Sequence, residues 1–221
     1  MEEVIRTERL SKSYGDVKAV SEISLNVRKG EIYGFLGLNG AGKTTTIRML
    51  LGMINPESGK AYIDGNEIKR GKNGLWDKVG YLLEVPYSYP ELTVRENLEI
   101  VRRLRIIRDA GAVDSVIKKL SLNSYSNRKA RNLSLGNKQR LGLAKALMHN
   151  PDILILDEPA NGLDPAGILE IRELLTDLAT NYGVTVFISS HILGEISKFS
   201  TRIGIIHNGR LIQELNTPQL E

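Results

Sequence analysis

Gly37-Leu38-Asn39-Gly40-Ala41-Gly42-Lys43-Thr44 is the stretch of this chain whose residue types and spacing most directly specify chemistry. It satisfies G-x-x-x-x-G-K-[ST], in which glycines let successive backbone N–H groups turn inward around phosphate oxygens. Lys43 supplies a mobile cation for β- and γ-phosphates, and the Thr44 hydroxyl is placed to ligate Mg²⁺. Far along the chain, the apolar run Ile153–Leu156 ends in Asp157 and Glu158. Burial explains the run but not a double negative charge where it emerges. Ligands of open α/β sheets gather at the carboxyl ends of strands. Asp157 is therefore a candidate Mg²⁺ ligand and Glu158 a candidate general base for an attacking water. His191 follows the run VTVFISS in the same way and is a candidate γ-phosphate contact.

The elements that must position these groups are legible from periodicity. Glu31–Leu36 reads EIYGFL, a short apolar strand, and Thr45–Met53 has the apolar spacing of a helix, so the glycine-rich turn sits between strand and helix. Such a helix turns its positive dipole end towards the phosphate. The first 30 residues alternate polar and apolar, as SEISLNV at Ser21–Val27 does, which predicts short antiparallel strands. Hairpins are expected at Asp64-Gly65 and Asn208-Gly209. Val79–Leu83, Asp152–Leu156 and Val184–Ser189 read as further apolar strands, with a helix through Ile168–Leu178. From Thr93 to about Asn150 apolar residues recur at three and four, the texture of a helical insertion. Strands alternating with helices imply a mostly parallel sheet covered on both faces.

Composition removes other chemistries. The 221 residues fit one domain, or one domain with an inserted subdomain, and 41% hydrophobic with 25% charged residues suffices for a core. Without cysteine there is no disulfide, thiolate metal site or cysteine nucleophile. His149, His191 and His207 are too scattered for a histidine-rich metal centre. No uncharged apolar run approaches the roughly 18–20 residues that cross a bilayer, and MEEVIRTERL is not a secretory signal. A soluble protein is expected, with any membrane role through a partner. The net charge of +4 is uneven, since residues 86–150 hold 13 Lys/Arg against 5 Asp/Glu. Such a basic face suits nucleic acid, anionic lipid or an acidic partner, or is simply a solvated helical face.

Leu133-Ser134-Leu135-Gly136-Asn137-Lys138-Gln139-Arg140 precedes the acidic strand by about 17 residues and opens a helix. It resembles the signature motif of ABC ATPases, usually LSGGQ followed by a basic residue and QR. The other motifs stand in that family's order. Tyr14 matches the aromatic that stacks on adenine, and Gly37–Thr45 matches Walker A. Glu84 falls where the Q-loop glutamine stands. Asp157 and Glu158 match Walker B with its catalytic glutamate, Asn161-Gly162-Leu163-Asp164 the D-loop, and His191 the switch histidine. Leu135, Asn137 and Glu84 depart from the usual pattern in ways that look like the ATPases of bacitracin, lantibiotic and other drug exporters of bacteria.

The resemblance implies a P-loop NTPase, α/β, with a RecA-like parallel sheet core, an antiparallel β subdomain and an inserted α-helical subdomain. Residues 1–85 and 151–221 would form the nucleotide-binding core and about 86–150 the helical signature subdomain. It implies ATP and Mg²⁺ as cofactors, with Lys43, Glu158 and His191 catalytic. Nucleotide contacts would come from Tyr14, Gly37, Asn39, Gly40, Ala41, Gly42, Lys43, Thr44, Thr45, Ser134, Gly136, Asn137 and Asp164. Metal contacts would come from Thr44, Glu84 and Asp157, although a carboxylate at 84 lacks the glutamine's amide donor. In the family the signature is too far from its own phosphate loop to reach the same ATP. A second copy of the chain, or a paralogue, would pair with it head to tail, and an integral-membrane permease would receive the movement on the cytoplasmic face of the membrane. Pro86, Tyr87, Tyr89 and Pro90 are candidate docking residues, with a core or turn role the alternative for the two tyrosines. No nucleic acid is expected as partner. The rival functions are a soluble ABC ATPase acting on ribosomes or nucleic acid, favoured only by the basic segment, and a nucleotide-gated regulatory module. Exporter ATPases of this type often continue beyond the last hairpin, which implies a shortened chain here.

Overall fold

The computed structural model describes residues 2–69, 76–83 and 86–217. From the amino end come β1 (Glu3–Tyr14), β2 (Val17–Ile23), β3 (Asn26–Arg28), β4 (Ile32–Leu36), α1 (Lys43–Leu50), β5 (Ser58–Ile63), β6 (Asn66–Glu67) and β7 (Val79–Leu82). The helices α2 (Val94–Leu104), α3 (Ala112–Lys119) and α4 (Leu135–Leu147) follow. Then come β8 (Ile153–Asp157), α5 (Pro165–Tyr182), β9 (Thr185–Ser190), α6 (Leu193–Ile196), β10 (Arg202–His207) and β11 (Arg210–Asn216).

Two sheets result. One is antiparallel, in the order β2-β1-β5-β6 with β3 also paired to β1. The other runs β11-β10-β4-β9-β8-β7 and is parallel except at the β10–β11 hairpin. The sequence's fold class is therefore borne out. Both expected hairpin turns are present, with left-handed backbone at Asp64 and Gly65 and at Asn208 and Gly209. One expected strand is not continuous. The alternation through Ser21–Val27 breaks between β2 and β3, where Thr7 Oγ1 donates to Ile23 O and accepts from Leu25 N, both at 3.0 Å. A side-chain hydroxyl there adds to the backbone bond from Thr7 N to Leu25 O at 2.8 Å.

The parallel strands are apolar on both faces because each face has its own core. Ile153, Ile155, Tyr33, Phe35 and Phe187 point into a core shared with α1 and the antiparallel sheet. Leu154, Leu156, Ile32, Val186 and Ile188 point into the other, shared with α2–α6. Tyr33 and Phe187 stack at 5.5 Å, which fixes β4 against β9. Register thereby follows from side-chain alternation, since a one-residue slip would exchange the two sets.

The helix α4 lies so close to the edge strand β7 that a Cβ on Gly80 would sit 2.2 Å from Ala146 O. His149, just beyond α4, adds a hydrogen bond from Nε2 to Val79 O at 3.2 Å. Burial, then the Arg105 charge, lowers the His149 pKa from 6.5 to about 4. Between those values the unfolded chain binds the proton and the folded chain does not, so stability falls as pH falls through that window. Melting followed by circular dichroism is expected to show this acid loss. The loss is expected to be smaller in His149→Gln, which keeps an amide donor for Val79 O. Equal pH slopes in the two proteins would refute the linkage.

Among the described residues, six of the thirteen Lys/Arg of the basic segment are ion-paired within the fold. Arg95 pairs with Asp114, Arg102 and Arg103 with Glu99, Lys129 and Arg131 with Glu91, and Arg140 with Glu170. A solvated, ion-paired helical face accounts for these charges. Among the described residues no helix is long and apolar enough to cross a membrane.

Candidate functional site

The carboxyl ends of β4, β9 and β8 lie side by side, and the chemistry-bearing residues sit on them. The phosphate loop leaves β4, and Gly37 N donates to Ser190 O at the end of β9 at 3.1 Å. Gly40 and Gly42 have φ of 80° and 107°, the left-handed region that glycine tolerates. At Gly42 there is also no room, because a Cβ would fall 2.4 Å from Ala19 O of β2. Gly42 is the N-cap of α1 and has no side-chain cap, so the amides of the first turn face a ligand site rather than a capping oxygen.

Lys43, 6% exposed, donates from Nζ to Gly37 O at 2.6 Å and to Leu38 O at 3.2 Å. It also forms an ion pair with Glu158 Oε1 at 3.2 Å. The other carboxylate oxygen of Glu158 lies 2.9 Å from His191 Nδ1. The three residues expected to be catalytic are thus joined as Lys43–Glu158–His191. Glu158 itself is in the left-handed region, with φ 49°, which a glutamate holds only when its surroundings impose it.

Thr44 Oγ1 donates to Asp157 Oδ2 at 2.7 Å, and Asp157 is fully buried. A hydroxyl and a carboxylate in contact are hard oxygen donors of the kind Mg²⁺ takes together with substrate phosphate oxygens and water. The pair fits that ion, and Mg²⁺ would neutralise charge on the β- and γ-phosphate oxygens. Glu84, the third expected metal ligand, lies outside the described residues.

Ser189 was missed by sequence reasoning. Its hydroxyl donates to Asp157 Oδ1 at 2.6 Å and accepts from Glu158 N at 3.0 Å. The available signal was a polar residue, two before His191, ending an otherwise apolar strand.

The signature residues lie elsewhere. Ser134 is the N-cap of α4 and its hydroxyl accepts from Asn137 N at 3.3 Å. The exposed Leu135 packs over the D-loop of its own chain, its Cδ2 lying 2.3 Å from where a Cβ on Gly162 would be. Gly136 faces Gly162 O and Leu163. Asp164 is committed to capping α5, its Oδ1 accepting from Gly167 N at 2.9 Å. Tyr14 is half-exposed at the end of β1, beside Lys12, on the hairpin whose return strand abuts Gly42. Asn39 is exposed on the rim of the loop and Ala41 buried beneath it. A concavity of about 980 Å³ lies over the antiparallel sheet and contains none of these groups.

Comparison with known proteins agrees with the geometry. Residues 20–161 match the family described as ABC transporter. The chain is 48% identical to the bacitracin transport ATP-binding protein BcrA of Bacillus licheniformis, over 97% of this chain and 70% of that protein. It is 36% identical to the lantibiotic transport ATP-binding protein SrtF of Streptococcus pyogenes, over 96% of this chain and 90% of that one. Its fold is similar to the ATP-binding cassette MJ0796, solved as a dimer in a post-hydrolysis state with ADP and Pi. The TM-score is 0.88 at 26% identity, covering 96% of this chain and 98% of the other. A phosphate loop facing an acidic strand tip, a family match across residues 20–161 and relatives of this similarity agree: the chain belongs to the ABC transporter family, as an ATP-binding subunit whose chemistry is ATP hydrolysis.

Proposed function

We propose that the chain is one half of a pair that closes head to tail around two ATP and drives export of a drug, peptide or antibiotic through a separate membrane permease. One observation carries the pairing. The amino end of α4, with Leu135 and Gly136, is seated on the chain's own Gly162–Leu163 loop, while Lys43 is held by Gly37, Leu38 and Glu158. Each chain thus presents a phosphate-loop half and a separate signature half, and a symmetric pair repeats the composite contact twice. The printed names of the bacitracin and lantibiotic relatives support the direction and cargo class.

Within each composite site, Gly37–Thr45 cradle the phosphates and Tyr14 stacks on the adenine. Thr44 and Asp157 hold Mg²⁺, and Glu84 is a third ligand. Glu158 takes the proton of the attacking water, and His191 orients Glu158 and the γ-phosphate. Ser134, Gly136 and Asn137 face the partner's nucleotide, with Asp164 at the same boundary. We keep about 86–150 as the helical signature subdomain. Exposed Tyr87 and Tyr89, whose rings meet edge to face at 5.6 Å, lie beside Pro86 and form the docking point for the permease. Lys145 supports that point from α4, its Nζ donating to Tyr87 O at 2.9 Å and Ser88 Oγ at 3.1 Å. On this reading the chain works at the cytoplasmic face of the membrane, with no nucleic acid as partner.

Complementation tests the shared site. Lys43→Ala and Gly136→Asp are each expected to be inactive as purified proteins. Their mixture is expected to regain roughly a quarter of wild-type turnover, because half of random pairs contain one intact composite site. A mixture as inert as its components would overturn the head-to-tail arrangement. Added membranes containing the permease are expected to stimulate the wild-type chain, and ribosomes or nucleic acid are not.

A further inference from the structure

We infer that Ser189 is a positioning residue for both carboxylates of the ATPase site, setting the orientation of the Mg²⁺ ligand Asp157 and the backbone of the general base Glu158. The inference rests on the roles proposed above for those two residues. Asp157 and Ser189 are directly opposed in the parallel β8–β9 ladder. Beyond Asp157 the ladder cannot continue, because Glu158 turns into the left-handed region at φ 49°. Its N–H no longer faces a strand carbonyl, and the Ser189 hydroxyl accepts it at 3.0 Å instead. A hydroxyl has one proton, and Ser189 gives it to Asp157 Oδ1 at 2.6 Å.

The consequence for Asp157 is directional. With Oδ1 held by Ser189, Oδ2 is the oxygen turned to Thr44 Oγ1, at 2.7 Å. The ion-holding edge of the carboxylate is thereby selected by a residue that lies behind it. The consequence for Glu158 concerns its side chain. Backbone held at that φ sends the carboxylate between Lys43, at 3.2 Å, and His191, at 2.9 Å. Ser189 and His191 belong to one strand end, so β9 grips Glu158 at its amide and at its carboxylate. Ser189 is fully buried, and buried hydroxyls carrying both a donated and an accepted bond are costly to lose. Outer-shell partners of metal ligands typically change metal affinity or activity by about 10–100-fold when removed.

The test compares Ser189→Ala, which removes both bonds, with Ser189→Thr, which keeps both. Affinity for a fluorescent ATP analogue is measured with EDTA and with Mg²⁺, alongside steady-state turnover over a Mg²⁺ series. For Ser189→Ala we expect affinity in EDTA within about two-fold of wild type, a Mg²⁺-dependent gain in affinity reduced about ten-fold, and kcat reduced about 10–100-fold. Ser189→Thr is expected to restore both within about three-fold. An alanine variant with wild-type Mg²⁺ dependence and kcat overturns the inference. So does equal loss of binding with and without Mg²⁺, or a folded threonine variant that fails to restore them. Should Ser189→Ala fail to fold, Ser189→Cys is read by the same criteria. Asp157→Asn serves as reference: if it keeps the Mg²⁺-dependent gain, the metal assignment itself is wrong. If it loses that gain while Ser189→Ala keeps it, only the role of Ser189 is refuted.

Discussion

A Glu158→Gln variant is expected to bind ATP and hydrolyse it about 10²–10⁴-fold more slowly than the native chain, the usual contribution of a positioned general base. Glutamine keeps an oxygen for Lys43 or His191 but cannot take a proton from water. Binding should be equal or tighter. Lys43 is held by the negative charge of Glu158 at 3.2 Å, and the amide releases it towards the phosphates. Turnover measured beside a fluorescent ATP titration separates the two effects. With ATP the variant should also accumulate as a dimer in size-exclusion chromatography, since closure no longer ends in hydrolysis. Wild-type turnover in this variant would remove Glu158 from the chemical step.

The second large effect belongs to Gly42. Its φ of 107° is open to glycine and essentially closed to alanine, a strain of order 1–3 kcal/mol by itself. An added Cβ would also lie 2.4 Å from the backbone oxygen of Ala19. Neither atom can yield cheaply, because Ala19 belongs to β2 and Gly42 caps α1. Gly42→Ala is therefore expected to lower the melting temperature and to weaken ATP binding by more than about ten-fold, a loss of about 1.4 kcal/mol or more. Gly40→Ala is the control, for its φ of 80° is also left-handed but nothing lies within 4 Å of the added carbon. It should carry the conformational strain without the collision. If the two variants lose equal stability and affinity, the contact with β2 is irrelevant to the loop.

Much of this site could be read from the chain because its chemistry is concentrated where regular structure ends. The apolar runs before Gly37, Asp157 and His191 are strands; the first opens into glycines and the other two end on polar groups that burial does not explain. The pairing of those strands was not legible. Nothing in the residues around Leu36 says that β4 lies against β9 rather than β8, yet that order brings Lys43, Glu158 and His191 into one chain of contacts. Ser189 was overlooked for the same reason, since its partners are 31 and 32 residues away in sequence. The pairing of the basic segment was not legible either. Carboxylates that meet four of its cations, Glu91, Asp114 and Glu170, come from other turns and helices, up to 40 residues distant. Local patterns report what a segment can bury, and long-range pairing decides what its charges meet.

The alternation of Leu154, Ile155 and Leu156 between two cores has a consequence for which changes would be harmful. Those side chains hold β8 in register with β9, and the same register sets Asp157 opposite Ser189. Phe187, two residues before that serine, is fully buried in the core, and its stacking on Tyr33 helps set the height at which the serine hydroxyl stands. The hydrocarbon interior thus acts as the measuring gauge of the catalytic edge. A substitution deep in oil, remote from any phosphate, can miscalibrate the enzyme without unfolding it.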